Sequence, residues 1–172
     1  DISASTDSID NADTSASETV SENTAEGATV TIEPQVLADQ HGIVITALEY
    51  VTDPTWGEGI KVSIENKSIR NIEVGATTLI VNDFTVPSSL VAFAYSGVPD
   101  EETIWLSTET LKKIGINSVG KVEMQLYVSD MDTDLEVFKT DLVTIQTSEF
   151  ANMDTTPSDN GIELYNKGGI KI

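Results

Sequence analysis

The stretch Ile60-Lys61-Val62-Ser63-Ile64-Glu65 sets three aliphatic side chains at alternate positions, and this period of two recurs along most of the chain. Alternation is the signature of a strand with one buried face, whereas a helix needs apolar residues every three or four positions. Residues 29–32 alternate ahead of Pro34, and residues 43–51 form a strand that Asp53-Pro54 ends. Residues 72–81 read as one strand or two short ones, with Gly75 as a bulge, and 84–86 and 89–95 add strand segments separated by Pro87. Residues 103–106 place Ile104 and Leu106 on one face, and 122–128 and 135–147 form a hairpin around an acidic turn. The helix signal lies near residues 108–114: Ser107 or Thr108 caps it, Lys112 and Lys113 suit its last turn, and Gly115 stops it. Seven to nine short strands in about 120 residues predict an all-β fold, an immunoglobulin-like antiparallel β-sandwich with one short helical crossover.

Charge narrows the partners. The 172 residues carry a formal net charge of −20, and no Lys or Arg precedes Lys61. Such a field repels phosphate backbones and anionic lipid surfaces, so no nucleic acid is expected as a partner. There is no cysteine, which excludes disulfides, thiolate metal sites and a cysteine nucleophile. The apolar run Leu90-Val91-Ala92-Phe93-Ala94-Tyr95 is too short to span a bilayer as a helix.

Residues 1–27 are mostly Ser, Thr, Ala, Asp and Glu, without an aromatic residue. They bury too little apolar surface to offset the entropy of ordering, and a disordered acidic linker is expected. Its reach is about 30 Å by square-root scaling. It is either a solubilising tail or a tether; a chain opening on Asp1 favours a tether that follows a removed signal peptide or a lipid-bearing cysteine. Residues 28–148 are expected to form the sandwich, and the polar, turn-rich 149–160 a second linker. In 161–172, "GIELYNKGGIKI" echoes the first hairpin: Leu164, Gly169, Ile170 and Ile172 match Leu37, Gly42, Ile43 and Ile45. The segment reads as the start of a second repeat or as a last hairpin of this domain.

The stretches "GIVITALEY", "WGEGIKVSIENKS", "IEVGATTLIVNDF", "LSTETLKKIGI", "VEMQLYVSD" and "TDLVTIQTS" resemble an uncharacterised immunoglobulin-like domain family of Gram-positive cell-surface lipoproteins. The resemblance spans about residues 42–148. It implies a β-sandwich, an extracellular location at the cell surface and tandem domains, and it supplies no catalytic residues. The acidic loop Val98-Pro99-Asp100-Glu101-Glu102 departs from the expected pattern.

Chemistry has few candidates. His41 is the sole histidine and falls in a hairpin turn, where solvent is its expected neighbour. The chain has no nucleophile elbow, P-loop or dinucleotide fingerprint, and it is not expected to be an enzyme. Asp130, Asp132, Asp134 and Glu136 alternate as in the first half of a calcium loop. Leu135 stands where such a loop needs Gly, so a solvated hairpin tip is the competing reading, and no cofactor is expected otherwise. Asn66-Lys67-Ser68 matches a glycosylation sequon, read here as coincidence. Trp56 precedes a strand and is expected to fold back on the core. Trp105, between inward Ile104 and Leu106, is expected outward, where it either stacks on a ligand or packs under protein. Tyr127 is expected outward on the other sheet. The expected function is a non-catalytic interaction or spacer domain that meets a cell-surface protein or glycan, with a carbohydrate-binding module using Trp105 as the alternative. Contact with a membrane is expected only through an upstream lipid anchor.

Overall fold

The computed structural model describes residues 29–88, 90–153, 166–168 and 170–171. The expected acidic linker at 1–27 lies outside them. Ten strands form two antiparallel sheets. The first sheet takes β1 (Gln35–Gln40), β2 (Ile43–Asp53) and β3 (Gly57–Asn66). After β4 (Ile72–Val81), β5 (Phe84–Thr85) and β6 (Val91–Ala94), the chain adds β7 (Asp100–Leu106) to the first sheet, in the order β1-β2-β3-β7. Helix α1 (Thr108–Lys113) then leads to β8 (Lys121–Asp130), β9 (Glu136–Lys139) and β10 (Val143–Gln146). In the second sheet β4 and β8 are the centre, β5 and β6 pair with β4, and β9 and β10 pair with β8. The protein is an all-β antiparallel sandwich with one short helix.

Alternation fills the space between the sheets. Ile60, Val62 and Ile64 of β3 face Val122, Met124, Leu126 and Val128 of β8 within one continuous core, and all of them are buried. Two bulges shift the phase of that alternation. In β2 the register slips between Ala47 and Glu49, so the buried series changes from Ile43, Ile45 and Ala47 to Tyr50. In β4 the slip falls between Ala76 and Thr78, not at Gly75 as the sequence suggested. Gly75 is regular strand, and its missing side chain makes room for the Tyr127 ring, whose Cε1 would lie 2.4 Å from a Cβ placed there.

The ten strands depart from the expected seven to nine mainly at the edges. The segment read as one strand over 135–147 is broken at Thr140, whose N–H donates to the Leu126 carbonyl while its Oγ1 accepts from the Leu126 N–H. A side chain thus replaces one rung of the ladder. On the other edge Pro87, which has no N–H to give, separates β5 from β6. The strand expected at 29–32 is reduced to a single bridge from Ile32 to Thr147. β7 begins at Asp100, so part of the acidic stretch expected as a loop is paired to β3.

The turns follow local chemistry. His41 and Gly42, both at positive φ, make the two-residue link from β1 to β2, as the primed hairpin turns require. Ser107 caps α1 through a hydrogen bond from the Thr110 N–H, Leu111 buries the helix on the core, and the helix stops at Lys113, one residue before the expected end. Of the terminal segment, β11 (Asn166–Lys167) and β12 (Ile170–Lys171) pair with each other in a separate two-stranded sheet. Their register, Asn166 to Lys171 and Lys167 to Ile170, repeats that of Asp39 to Val44 and Gln40 to Ile43. Among the described residues no helix is long and apolar enough to cross a membrane.

Candidate functional site

Trp105 lies on the outer face of the first sheet, as its strand period requires, opposite Gly59 of β3. Glycine is needed there, because a Cβ would sit 2.9 Å from the indole Cε3 and 2.7 Å from Thr103 Cγ2. The ring therefore lies close against the sheet and is only half buried.

Trp56 corrects the sequence reading. It does not fold back on the core; it is 65 % exposed and stacks on Trp105, with ring centroids 6.5 Å apart and planes 30° apart. The cause is the three-residue link between β2 and β3. Asp53 Oδ1 accepts from the N–H groups of Thr55 (2.7 Å) and Trp56 (2.9 Å), which turns the chain outward. Gly57, at φ +93°, then returns it to β3, and a Cβ on Gly57 would meet Thr108 Oγ1 at 2.3 Å.

The two indoles line a groove of about 880 Å³ at one end of the sandwich. The β2–β3 link forms one wall, Pro87 and Ser88 another, and the turn from β7 into α1 a third. Asp53, Glu58 and Glu109 supply carboxylates, and among the described residues no Lys or Arg lines the groove. Thr108 Oγ1, also in the lining, is buried with no hydrogen-bond partner among the described residues. Glu58 Oε2 accepts from the Tyr50 hydroxyl at 2.8 Å.

That hydroxyl holds its proton tightly. Burial first, then the hydrogen bond to Glu58 and its negative charge, push the Tyr50 phenol well above its ordinary value of 10.0. In the unfolded chain the phenol ionises near pH 10, so its contribution to stability is complete below that pH and is lost as pH rises toward the folded value. We expect unfolding free energies from urea titrations to fall more steeply above pH 10 in the wild type than in Tyr50→Phe, by about 1.4 kcal/mol per pH unit. Equal slopes would remove Tyr50 as the cause. Tyr127 shifts in the same direction through its bond to Glu73, so it stays in both proteins as a common background.

Tyr127 is on the outer face of the second sheet, far in the fold from the groove. Its ring covers Gly75 and its hydroxyl donates to Glu73 Oε1 at 2.9 Å. Val91 and Phe93 of β6 stand half exposed on the same face. Trp105 and Tyr127 do not form one platform.

The acidic turn is organised around Asp130. Asp130 Oδ1 accepts from the N–H groups of Asp132 (2.9 Å) and Thr133 (3.2 Å), and its Oδ2 pairs with Arg70 Nε at 3.1 Å. Asp134 takes positive φ, the residue after it returns to Asp130 N–H, and Glu136 pairs with Lys139 at 2.8 Å. Asp130 thus holds the turn, and among the described residues no group of three or more potential ligands converges. His41 is exposed in its turn and stacks on Phe138 at 5.9 Å.

Sequence reasoning found Trp105 and missed its partner. The signal was present in Asp53-Pro54-Thr55-Trp56-Gly57, where Asp starts a turn and Gly ends it, leaving Trp56 at the tip. Compared with protein-family models, curated proteins and solved structures, the chain matches none of them.

Proposed function

We propose that this chain is a non-catalytic binding domain displayed at a bacterial cell surface, and that it binds through the Trp56–Trp105 groove. The stacked indole pair carries the reading. A tryptophan two-thirds exposed forgoes a large burial energy, and such residues are enriched where a partner supplies the missing cover. The placement on rigid strands and a hydrogen-bonded turn favours recognition, because little entropy remains to be lost on binding. The acidic composition of residues 1–27, without an aromatic residue, is in keeping with an extracellular setting.

The experiment is co-sedimentation with intact Gram-positive cells and with purified cell wall. The wild type is expected to sediment, and Trp56→Ala and Trp105→Ala to lose about tenfold in affinity, the 1.4 kcal/mol scale of a modest anchor residue. Trp56→Ala is the cleaner variant, since its exposed side chain supports no core packing. Undiminished binding by both variants would remove the groove from the function. A second reading, a carbohydrate-binding module, is favoured by the same indole faces, on which a sugar ring could stack; a glycan array probed with wild type and Trp105→Ala tests it.

A further inference from the structure

We infer that the Trp56–Trp105 groove receives an arginine or lysine side chain from an extended basic segment of a partner polypeptide. The inference rests on the groove being the binding surface and names what fills it. Three observations favour a cationic peptide over a neutral ligand.

The first is charge. Among the described residues the groove holds Asp53, Glu58 and Glu109 and no basic residue, in a chain of net charge −20. Glu109 is already paired with Lys113 at 2.6 Å, so Asp53 and Glu58 supply the local complement. Ionised carboxylates only accept hydrogen bonds, and a guanidinium only donates them. The second is the indole pair, whose faces attract a cation and on which a planar guanidinium stacks.

The third is the strand that leads into the groove. Among the described residues β7 pairs only with β3, which leaves its other edge open. It runs from Asp100, Glu101 and Glu102 to Trp105 and the groove wall. Glu101 is neutralised by Lys61 at 2.7 Å and Glu102 Oε1 accepts from the Thr103 N–H at 2.8 Å, which leaves Asp100 and the second Glu102 oxygen along the strand. An acidic edge discourages pairing with a second copy of this chain and suits a basic strand added to it. A groove of about 880 Å³ is also larger than one side chain needs, so an extended segment fits better than a small free cation.

The two tryptophans are the only two in the chain and both line the groove, so intrinsic fluorescence reports its occupancy without a label. The probes are an arginine-rich peptide, the same peptide with glutamine for each arginine, and a neutral N-acetylglucosamine hexamer. The arginine peptide is expected to change the emission saturably, and to bind about tenfold more weakly at physiological than at low salt. Glu58→Gln, which keeps an acceptor for Tyr50, and Trp56→Ala are each expected to weaken it about tenfold. Equal response to the glutamine peptide, or response to the hexamer alone, overturns the inference and leaves the binding reading standing. Silence with all three probes, while cells still sediment the protein through Trp56, also overturns it. Silence together with loss of sedimentation overturns both.

Discussion

Replacing Asn66 with alanine is expected to lower the unfolding free energy by about 3 kcal/mol, because one buried amide joins the two sheets. Asn66 ends β3 and is 2 % exposed. Its Nδ2 donates to the Ala94 carbonyl at 2.9 Å and to the Arg70 carbonyl at 2.7 Å, the former in β6 of the second sheet. Its Oδ1 accepts from the Ser68 N–H and hydroxyl, and its own carbonyl accepts from the Gly97 N–H. Alanine would leave two carbonyls short of a donor and free the 66–70 turn. Asn66→Asp should be worse still, since it sets a carboxylate against both carbonyls in a buried site. Ser68→Ala removes the hydroxyl's bonds to Asn66 Oδ1 and to the Arg70 carbonyl and N–H, leaves the Asn66 amide donors in place, and should cost about 1 kcal/mol. Urea denaturation of the three variants checks the order, and an Asn66→Ala within about 0.5 kcal/mol of wild type would show that the amide does not join the sheets. The same geometry disposes of the sequon at this position. Both Nδ2 hydrogens are committed inside the fold, so a glycan on that nitrogen is incompatible with the folded chain.

Most of the architecture was legible wherever a strand is long and covered on one face. Ile60, Val62 and Ile64 announce β3, and Val122, Met124, Leu126 and Val128 announce β8, because each strand keeps one phase throughout. Bulges were not legible, since their position depends on the partner strand. Gly75 looked like the irregular residue, yet the slip sits at Thr77 and the glycine serves the Tyr127 ring across the sheet. The break at Thr140 was hidden for a similar reason: a hydroxyl replaces a backbone rung, and nothing local marks it.

The site was half legible. The period of β7 placed Trp105 outward from two aliphatic neighbours alone, and the same logic put Tyr127 on the opposite sheet. Trp56 belongs to a turn, where no periodicity applies and the direction is set by an Asp53 side chain and a positive φ at Gly57. The acidic turn was ambiguous in principle. An aspartate that accepts backbone N–H groups and an aspartate that ligates calcium occupy the same position in sequence, and only the structure shows Asp130 turned inward on its own loop and on Arg70.

Asn82 is the residue for which the largest stability loss is expected, and its type follows from a turn the strand boundaries already define. β4 ends at Val81 and β5 begins at Phe84, paired across a two-residue link. Such a link needs positive φ at both positions, and Asn82 and Asp83 adopt 47° and 70°. Asparagine tolerates that conformation, whereas alanine in it is strained by about 1 kcal/mol. The side chain also ties the turn to the stretch before β8. Its Oδ1 accepts from the N–H groups of Gly120 (2.9 Å) and Lys121 (3.0 Å), and its Nδ2 donates to the Ser118 carbonyl at 2.8 Å. The Gly120 bond is buried, and a donor left there without a partner carries its full desolvation cost. Asn82→Ala should therefore lose about 4 kcal/mol, combining strain with three missing bonds. Asn82→Gly relieves the strain but not the bonds, and should recover about 1 kcal/mol relative to alanine. Equal losses in the two variants would show that backbone strain contributes nothing here. An alanine variant as stable as wild type would mean that the Asn82 side chain does not anchor the β4–β5 turn.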